Sequence, residues 1–99
     1  MVTIGMNYDV ISGKEKVFED AFANVLEAMK TMEGHGESSL YRKVGADEPA
    51  YLIVSQWSDE QAFADFVASE KFRKVTQWGA ENILRGRPRH TTYRHDEER

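Results

Sequence analysis

The sequence predicts an α+β fold in which two helical regions cover one face of a four-stranded antiparallel sheet. Three observations lead to this prediction. The chain has 99 residues, which is enough for one domain and leaves no room for two. Several short segments alternate apolar and polar residues, which is typical of strands. Two longer segments carry apolar residues at every third or fourth position, which is typical of amphipathic helices.

The first strand is predicted at residues 2–10, where apolar and polar residues alternate with period two. Such alternation gives a strand one apolar face and one polar face, and Asn7 lies on the polar one. The apolar face consists of Val2, Ile4, Met6, Tyr8 and Val10.

The first helix is predicted to follow Ser12-Gly13-Lys14-Glu15, which matches a capping box. In that motif the Ser12 hydroxyl accepts from the Glu15 backbone N–H, and the Glu15 carboxylate reaches back. Gly34 and Gly36 end the helical pattern after Met32. The apolar stripe of this helix consists of Val17, Phe18, Ala21, Phe22, Val25, Leu26 and Met29.

Two further strands are predicted at residues 37–44 and 50–57, joined by a turn. The segment from Tyr51 to Val54 is apolar on both sides, which indicates a central strand covered on both faces. A sheet with helices on one side only leaves the other face of this strand without cover.

The second helical region is predicted to begin at another capping box, Ser58-Asp59-Glu60-Gln61. Ser69 is predicted to cap a second segment of this region, which Gly86 and Pro88 end. A short last strand follows at residues 89–93.

The predicted order, β-α-β-β-α-β, is that of the ferredoxin-like fold. We predict one domain over residues 1–94 and a charged tail over residues 95–99. Because the second face of the third strand is apolar, it needs a partner, and a second copy of the chain is the simplest one. The expected assembly is a homodimer.

Composition excludes several classes of protein. The chain has no cysteine, so disulfides, thiolate nucleophiles and iron–sulfur clusters are ruled out. No apolar run reaches the roughly 20 residues of a membrane span, and no secretory signal is visible, so we expect no membrane partner and a cytoplasmic location. The net charge of −4 disfavours a nucleic-acid partner.

The sequence offers no recognisable metal or hydrolytic site. His35, His90 and His95 do not form a helical pair, so we predict no metal ligands. No Gly-x-Ser-x-Gly elbow is present either. The cluster formed by residues 85, 87 and 89, all arginines, is interpreted as serving solubility or an interface rather than an anion site.

Four residues are candidates for a ligand pocket. Asn7 is polar in the middle of a strand, so it is either structural or faces a ligand. Trp57 ends the third strand and suits either the core or an aromatic guest. Thr76 lies on the apolar stripe of the last helix, and Trp78 flanks that stripe.

In several of these segments the sequence resembles the antibiotic biosynthesis monooxygenase family, whose members are dimeric α+β barrels. The similar features are the Ser12-Gly13-Lys14-Glu15 segment, the loop at residues 32–35, the strand at 51–57 and the stretch at 58–63. Ser69 and Phe72 complete the pattern, which covers nearly the whole chain.

The resemblance implies a homodimer with a pocket between sheet and helices in each subunit. Some members of the family oxidise polycyclic phenols with O₂ and need no cofactor. Others degrade heme with an Asn, a Trp and a His that ligates the iron. Asn7 and Trp57 match the first two by position and become the catalytic candidates. Thr76 stands where the His would be, and a threonine hydroxyl is a poor iron ligand, so heme is not the expected cofactor.

The favoured hypothesis is a cofactor-independent monooxygenase acting on an aromatic or quinol-type molecule. Trp57 and Trp78 would stack on the rings, and Asn7 would hydrogen-bond the phenolate. Thr76 and Tyr51 would also contact the substrate.

The transferred proton would be handled by Tyr8, Asp9 or Tyr51. The alternatives are a non-catalytic binding or stress-related dimer and a heme-handling protein. The alternation in the first strand conflicts with the role given to Asn7: if Val2, Ile4 and Met6 face the helices, Asn7 faces away from the pocket.

Overall fold

The structure is a computed structural model that describes residues 1–94. The predicted charged tail at 95–99 lies outside the described residues. The described chain forms four strands and three helices. In chain order these are β1 (Val2–Asp9), α1 (Glu15–Met29), β2 (His35–Arg42), β3 (Ala50–Trp57), α2 (Glu60–Val67), α3 (Glu70–Asn82) and β4 (Arg89–Arg94).

The four strands form one antiparallel sheet in the order β2-β3-β1-β4. The predicted ferredoxin-like α+β fold is therefore confirmed. The register pairs Val2 with Trp57 and Met6 with His90. Paired residues point to the same face of a sheet, so these four side chains share a face.

The hydrophobic core lies between this face and the helices. Every second residue of β3 is buried, and Val2, Ile4 and Met6 are buried at alternate positions of β1. Helices α1 and α2 and the end of α3 supply the opposing side chains. The buried apolar residues are Val2, Ile4, Met6, Val10, Phe18, Met29, Tyr51, Ile53, Trp57, Phe63, Phe66 and Ile83.

The other face of the sheet is more open. Leu52 and Val54 of β3 are only half-buried there. Tyr41 of β2 is 55% exposed and Tyr93 of β4 is 59% exposed. The sequence predicts that β3 is covered on both faces. Within one chain, the helices bury one face, and the other face is only partly covered.

The helix starts differ in how they are capped. Asp59 accepts from the Ala62 backbone N–H (2.9 Å) at the start of α2, and Ser69 does the same for Phe72 (3.3 Å) at α3. The capping box predicted at Ser12 does not form.

Lys14 is the residue before α1 and makes no side-chain cap. Gly13, with φ of +94°, turns the chain between Ser12 and the helix. The Glu15 carboxylate reaches back to the Gly13 N–H (2.8 Å), so only half of the motif is retained.

Helix α3 ends at Asn82, before the predicted stop at Gly86 and Pro88, because the following segment joins β1. Leu84 forms an isolated antiparallel bridge with Val10. The Arg85 guanidinium donates to the carbonyls of Val10 (2.9 Å) and Pro49 (2.8 Å). Arg85 thus fixes the chain that leads into β4. No helix within residues 1–94 is long and apolar enough to cross a membrane.

Candidate functional site

An apolar cavity of about 60 Å³ lies between the sheet and helices α1 and α3. Helix α1 contributes Ala21, Phe22 and Val25, which follow its predicted apolar stripe. Helix α3 contributes Thr76 and Trp78. A concave, mostly apolar space with few polar groups is typical of small-molecule sites.

Tyr8 supplies one of the few polar groups in the cavity wall, and Thr76 supplies the other hydroxyl. The Tyr8 ring packs against Phe18 with a centroid distance of 5.3 Å. Its hydroxyl donates to the Met6 sulfur at 3.7 Å, which is a weak contact. Burial raises the pKa of Tyr8 to about 12. The phenol therefore keeps its proton at neutral pH and acts as a hydrogen-bond donor.

The cavity adjoins a larger groove of about 1010 Å³. Tyr8 and Thr76 line both spaces. His90 also lines the groove, because its pairing with Met6 directs it to the helix side of the sheet. Its ring centroid lies 5.6 Å from that of Phe63.

Of the predicted site residues, Thr76 and Trp78 line the cavity. Trp78 is 40% exposed, so its ring spans the cavity and the solvent. Both residues lie in α3 and line the same cavity. The remaining three predicted residues lie elsewhere.

Trp57 is fully buried and does not line the cavity. Its ring centroid lies 5.3 Å from Phe66, 6.0 Å from Phe63 and 5.0 Å from His35. Its indole N–H has no hydrogen-bond partner among the described residues. The side chain is therefore part of the packed core in this single chain.

Asn7 is exposed and points to the opposite face of the sheet. Its neighbours Met6 and Tyr8 face the helices, and strand alternation directs Asn7 the other way. The register places it between Leu52 and Arg89. Within one chain, Asn7 does not reach the cavity.

Tyr51 is buried behind the cavity wall. Its ring lies 4.6 Å from Phe18, which does line the cavity. Its hydroxyl donates to Glu19 Oε2 at 2.6 Å. Burial, and then the hydrogen bond to Glu19, raise the pKa of Tyr51 to about 12. Tyr51 therefore supports Phe18 and has no direct contact with the cavity.

A chain of polar groups that sequence reasoning missed lies beside Trp57. Ser38 Oγ is 2.8 Å from both His35 Nε2 and Ser55 Oγ. Ser55 is only 1% exposed, so this pairing satisfies a buried hydroxyl. Desolvation lowers the pKa of His35. The residues are distant in sequence, and only strand pairing between β2 and β3 brings them together.

Within the described part of the chain, no group of three or more His, Cys, Asp or Glu side chains could hold a metal ion. The cavity wall likewise contains no imidazole. The donor groups among its lining side chains are the hydroxyls of Tyr8 and Thr76 and the indole N–H of Trp78.

The chain is thus an α+β protein with a ferredoxin-like sheet and an apolar cavity under its helices. A family model described as antibiotic biosynthesis monooxygenase matches residues 1–78. The chain belongs to this family.

One curated relative is a protein of Natronomonas pharaonis named "Putative heme-binding protein". It is 36% identical over 88 residues, which cover 89% of this chain and 14% of that protein. The chain thus spans about a seventh of that relative's length.

Two solved structures share the fold. SnoaB, a cofactor-independent oxygenase from Streptomyces nogalater, superposes with a TM-score of 0.79 at 20% identity, covering 97% of this chain and 93% of that one. A conserved protein from Methanosarcina mazei has a TM-score of 0.85 at 18% identity, covering 96% and 92%.

Proposed function

We propose that the chain is a cofactor-independent monooxygenase that oxidises an aromatic or quinol-type molecule with O₂. The observation that carries this proposal is the apolar cavity whose wall combines aromatic rings with the hydroxyls of Tyr8 and Thr76. Membership of the family and the fold shared with a cofactor-independent oxygenase support it.

The reaction begins with a phenol or enol that loses a proton. An apolar cavity disfavours the resulting anion unless donors face its oxygen. Tyr8 is a protonated donor and Thr76 is a second one, and we assign to them the stabilisation of the oxyanion. Neither is a base at neutral pH. His90 lines the adjoining groove, and we assign its imidazole as the proton acceptor.

The electron-rich anion then reacts with O₂ directly. For an anthrone, two C–H bonds of the methylene carbon break and a C=O bond forms. One oxygen atom of O₂ enters the product and the other leaves as water. The substrate loses four electrons and O₂ gains four, so no further reductant is needed.

Several assignments remain predictions within this proposal. Trp78 stacks on the substrate ring, and Thr76 hydrogen-bonds it. The predicted contact of Tyr51 with the substrate is also untested, and its side chain lies behind Phe18. The catalytic roles of Asn7 and Trp57 are untested predictions. Neither side chain reaches the cavity within one chain.

The test is oxygen consumption with anthrone and hydroquinone in metal-free buffer, together with absorbance of the quinone product. Tyr8→Phe removes one oxyanion donor and should lower kcat on the order of 100-fold. Tyr41→Phe is the matched control, because Tyr41 is exposed on the other face of the sheet. No turnover by the unmodified protein with any substrate of the panel, despite binding, would favour the alternative of a non-catalytic binding dimer.

We also propose that two copies pair through the open face of the sheet to form the dimeric barrel. Leu52 and Val54 are only half-buried there. Sedimentation at micromolar concentration should give about twice the 11.4 kDa chain mass. Val54→Glu should yield monomers, whereas Val44→Glu, at a position 94% exposed in a turn, should not. A monomeric unmodified protein would refute the barrel.

Heme binding is a second candidate, favoured by the name of the Natronomonas pharaonis relative and by His90 in the groove. The cavity itself fits heme iron poorly: Thr76 is a weak ligand, and the wall holds no imidazole. We therefore expect weak heme binding without an axial imidazole. A sharp histidine-type Soret band, lost in His90→Ala and retained in His35→Ala, would instead support a heme-handling protein.

A further inference from the structure

We propose that the groove beside the cavity binds an oxyanion of the ligand, so that the substrate is a planar aromatic molecule carrying a carboxylate or a phosphate. This inference rests on the proposed function, because it assumes that the aromatic part lies in the cavity. This proposal replaces the interpretation that Arg85, Arg87 and Arg89 serve solubility or an interface.

The first observation is the charge of the groove wall. The whole chain is acidic, with 17 Asp and Glu against 13 Lys and Arg. The groove wall nevertheless includes four arginines and one histidine, and none of its residues is acidic. The side chain of one of the four, Arg89, points to the other face of the sheet, because Arg89 pairs with Asn7. Arg73 comes from α3, and the other three arginines come from the segment that leads into β4 and from its first residue. Positive charges concentrated in a concave surface attract an anion.

The second observation is that the four arginines are not equally engaged. Arg85 contacts Glu48 (2.8 Å) and Asp9 (3.8 Å), and Arg89 contacts Asp9 (3.2 Å). In these three ion pairs, the carboxylates of Asp9 and Glu48 neutralise the two arginines. Arg73 and Arg87 make no ion pair or side-chain hydrogen bond within residues 1–94. Their guanidinium groups are therefore available to a ligand.

The third observation is that the groove adjoins the cavity. Groove and cavity share Met6, Tyr8, Phe72, Thr76 and Leu84. With its ring in the cavity, the proposed ligand would direct its substituents towards the arginines. A guanidinium group donates two parallel hydrogen bonds to a carboxylate or phosphate, which gives both affinity and orientation.

Three ligands with the same ring test the proposal by calorimetry: 1-naphthoate, 1-naphthyl phosphate and the uncharged 1-naphthalenemethanol. We expect at least one anion to bind about tenfold more tightly than the alcohol. The double variant Arg73→Gln/Arg87→Gln should remove this preference and leave binding of the alcohol within about twofold. Added salt should weaken binding of the anion only.

The matched control is Lys14→Gln/Lys43→Gln, which removes the same charge from exposed positions outside the groove. It should retain the preference for the anion, whereas an equal loss would overturn the subsite in favour of a general effect of net charge. Equal binding of all three ligands by the unmodified protein would overturn the oxyanion subsite and leave the cavity proposal intact. If none of the three binds, including the alcohol, the proposed function itself fails.

Discussion

The two tryptophans of the chain lie under the same sheet and have opposite surroundings. Trp57 is fully buried and is enclosed by His35, Phe63 and Phe66. Trp78 is 40% exposed and borders the cavity. At the Trp57 end, α2 places two phenylalanines directly on the strand ends. At the other end, α1 and α3 leave a space between them.

This difference shows that an apolar face does not by itself make a core. The same alternation along β1 gives packed Ile4 at one end and cavity-lining Met6 and Tyr8 at the other. Whether an apolar side chain of β1 is packed or lines the cavity depends on the helix that covers it. Substitutions at the packed end should therefore affect stability, and substitutions at the open end should affect binding.

The largest expected effect is on stability at the packed end. Trp57→Ala removes a large, fully buried side chain and should lower the free energy of unfolding by about 3–5 kcal/mol. Trp78→Ala is the matched change and should cost about 1 kcal/mol or less, because its ring is partly in solvent. Chemical denaturation measures both, and similar losses for the two variants would contradict the contrast.

A conservative change at the packed end refines this result. Trp57→Phe leaves a smaller gap and also removes the indole N–H that lacks a partner. It should therefore cost less than Trp57→Ala. A loss of ligand affinity with little loss of stability would instead identify Trp57 as a pocket wall.

At the open end, filling the cavity should affect binding more than folding. Ala21→Leu places a larger side chain in the cavity wall and should weaken an aromatic ligand at least about tenfold. The free energy of unfolding should change by less than about 1.5 kcal/mol. Ala64→Leu on the exposed side of α2 is the control for helix propensity. Unchanged affinity in Ala21→Leu would place the ligand outside the cavity.

The pH dependence of stability should report on His35 at the packed end. Burial lowers the pKa of His35 below the usual 6.5, so the unfolded chain takes up a proton at a higher pH than the folded chain does. The contribution of neutral His35 to stability is therefore complete above the unfolded-state pKa of 6.5 and is lost as the pH falls through the lower pKa of the folded state. Thermal unfolding of His35→Gln should show a smaller loss of Tm on acidification than the unmodified protein. An identical loss would show that His35 is not responsible.

The smallest effect is expected for Asn7→Leu on the opposite face of the sheet. Asn7 is exposed and makes no side-chain hydrogen bond within the described chain. The free energy of unfolding should change by about 0.5 kcal/mol or less. A loss of 1–3 kcal/mol, the range for leaving buried partners unsatisfied, would mean that the amide is held by neighbouring groups. A selective loss of kcat would support its predicted catalytic role.

The sequence predicted the elements well because each depends on local chemistry. The period-two pattern of β1, the run from Tyr51 to Val54 and the cap at Ser69 all depend on neighbours in the chain. The cap at Ser12 failed because Gly13 adopts a positive φ that separates Ser12 from the helix. Alternation also indicated correctly that Asn7 faces away from Met6.

By itself, the sequence determined the order of the strands and helices, their apolar faces and the family of the chain. These properties follow from the spacing of residues along the backbone. The tertiary structure decided which apolar residues pack and which line a cavity, since that depends on how the helices lie on the sheet. It also brought Arg73 to the same groove as Arg87. Residues distant in sequence form one charged surface only when the chain has folded.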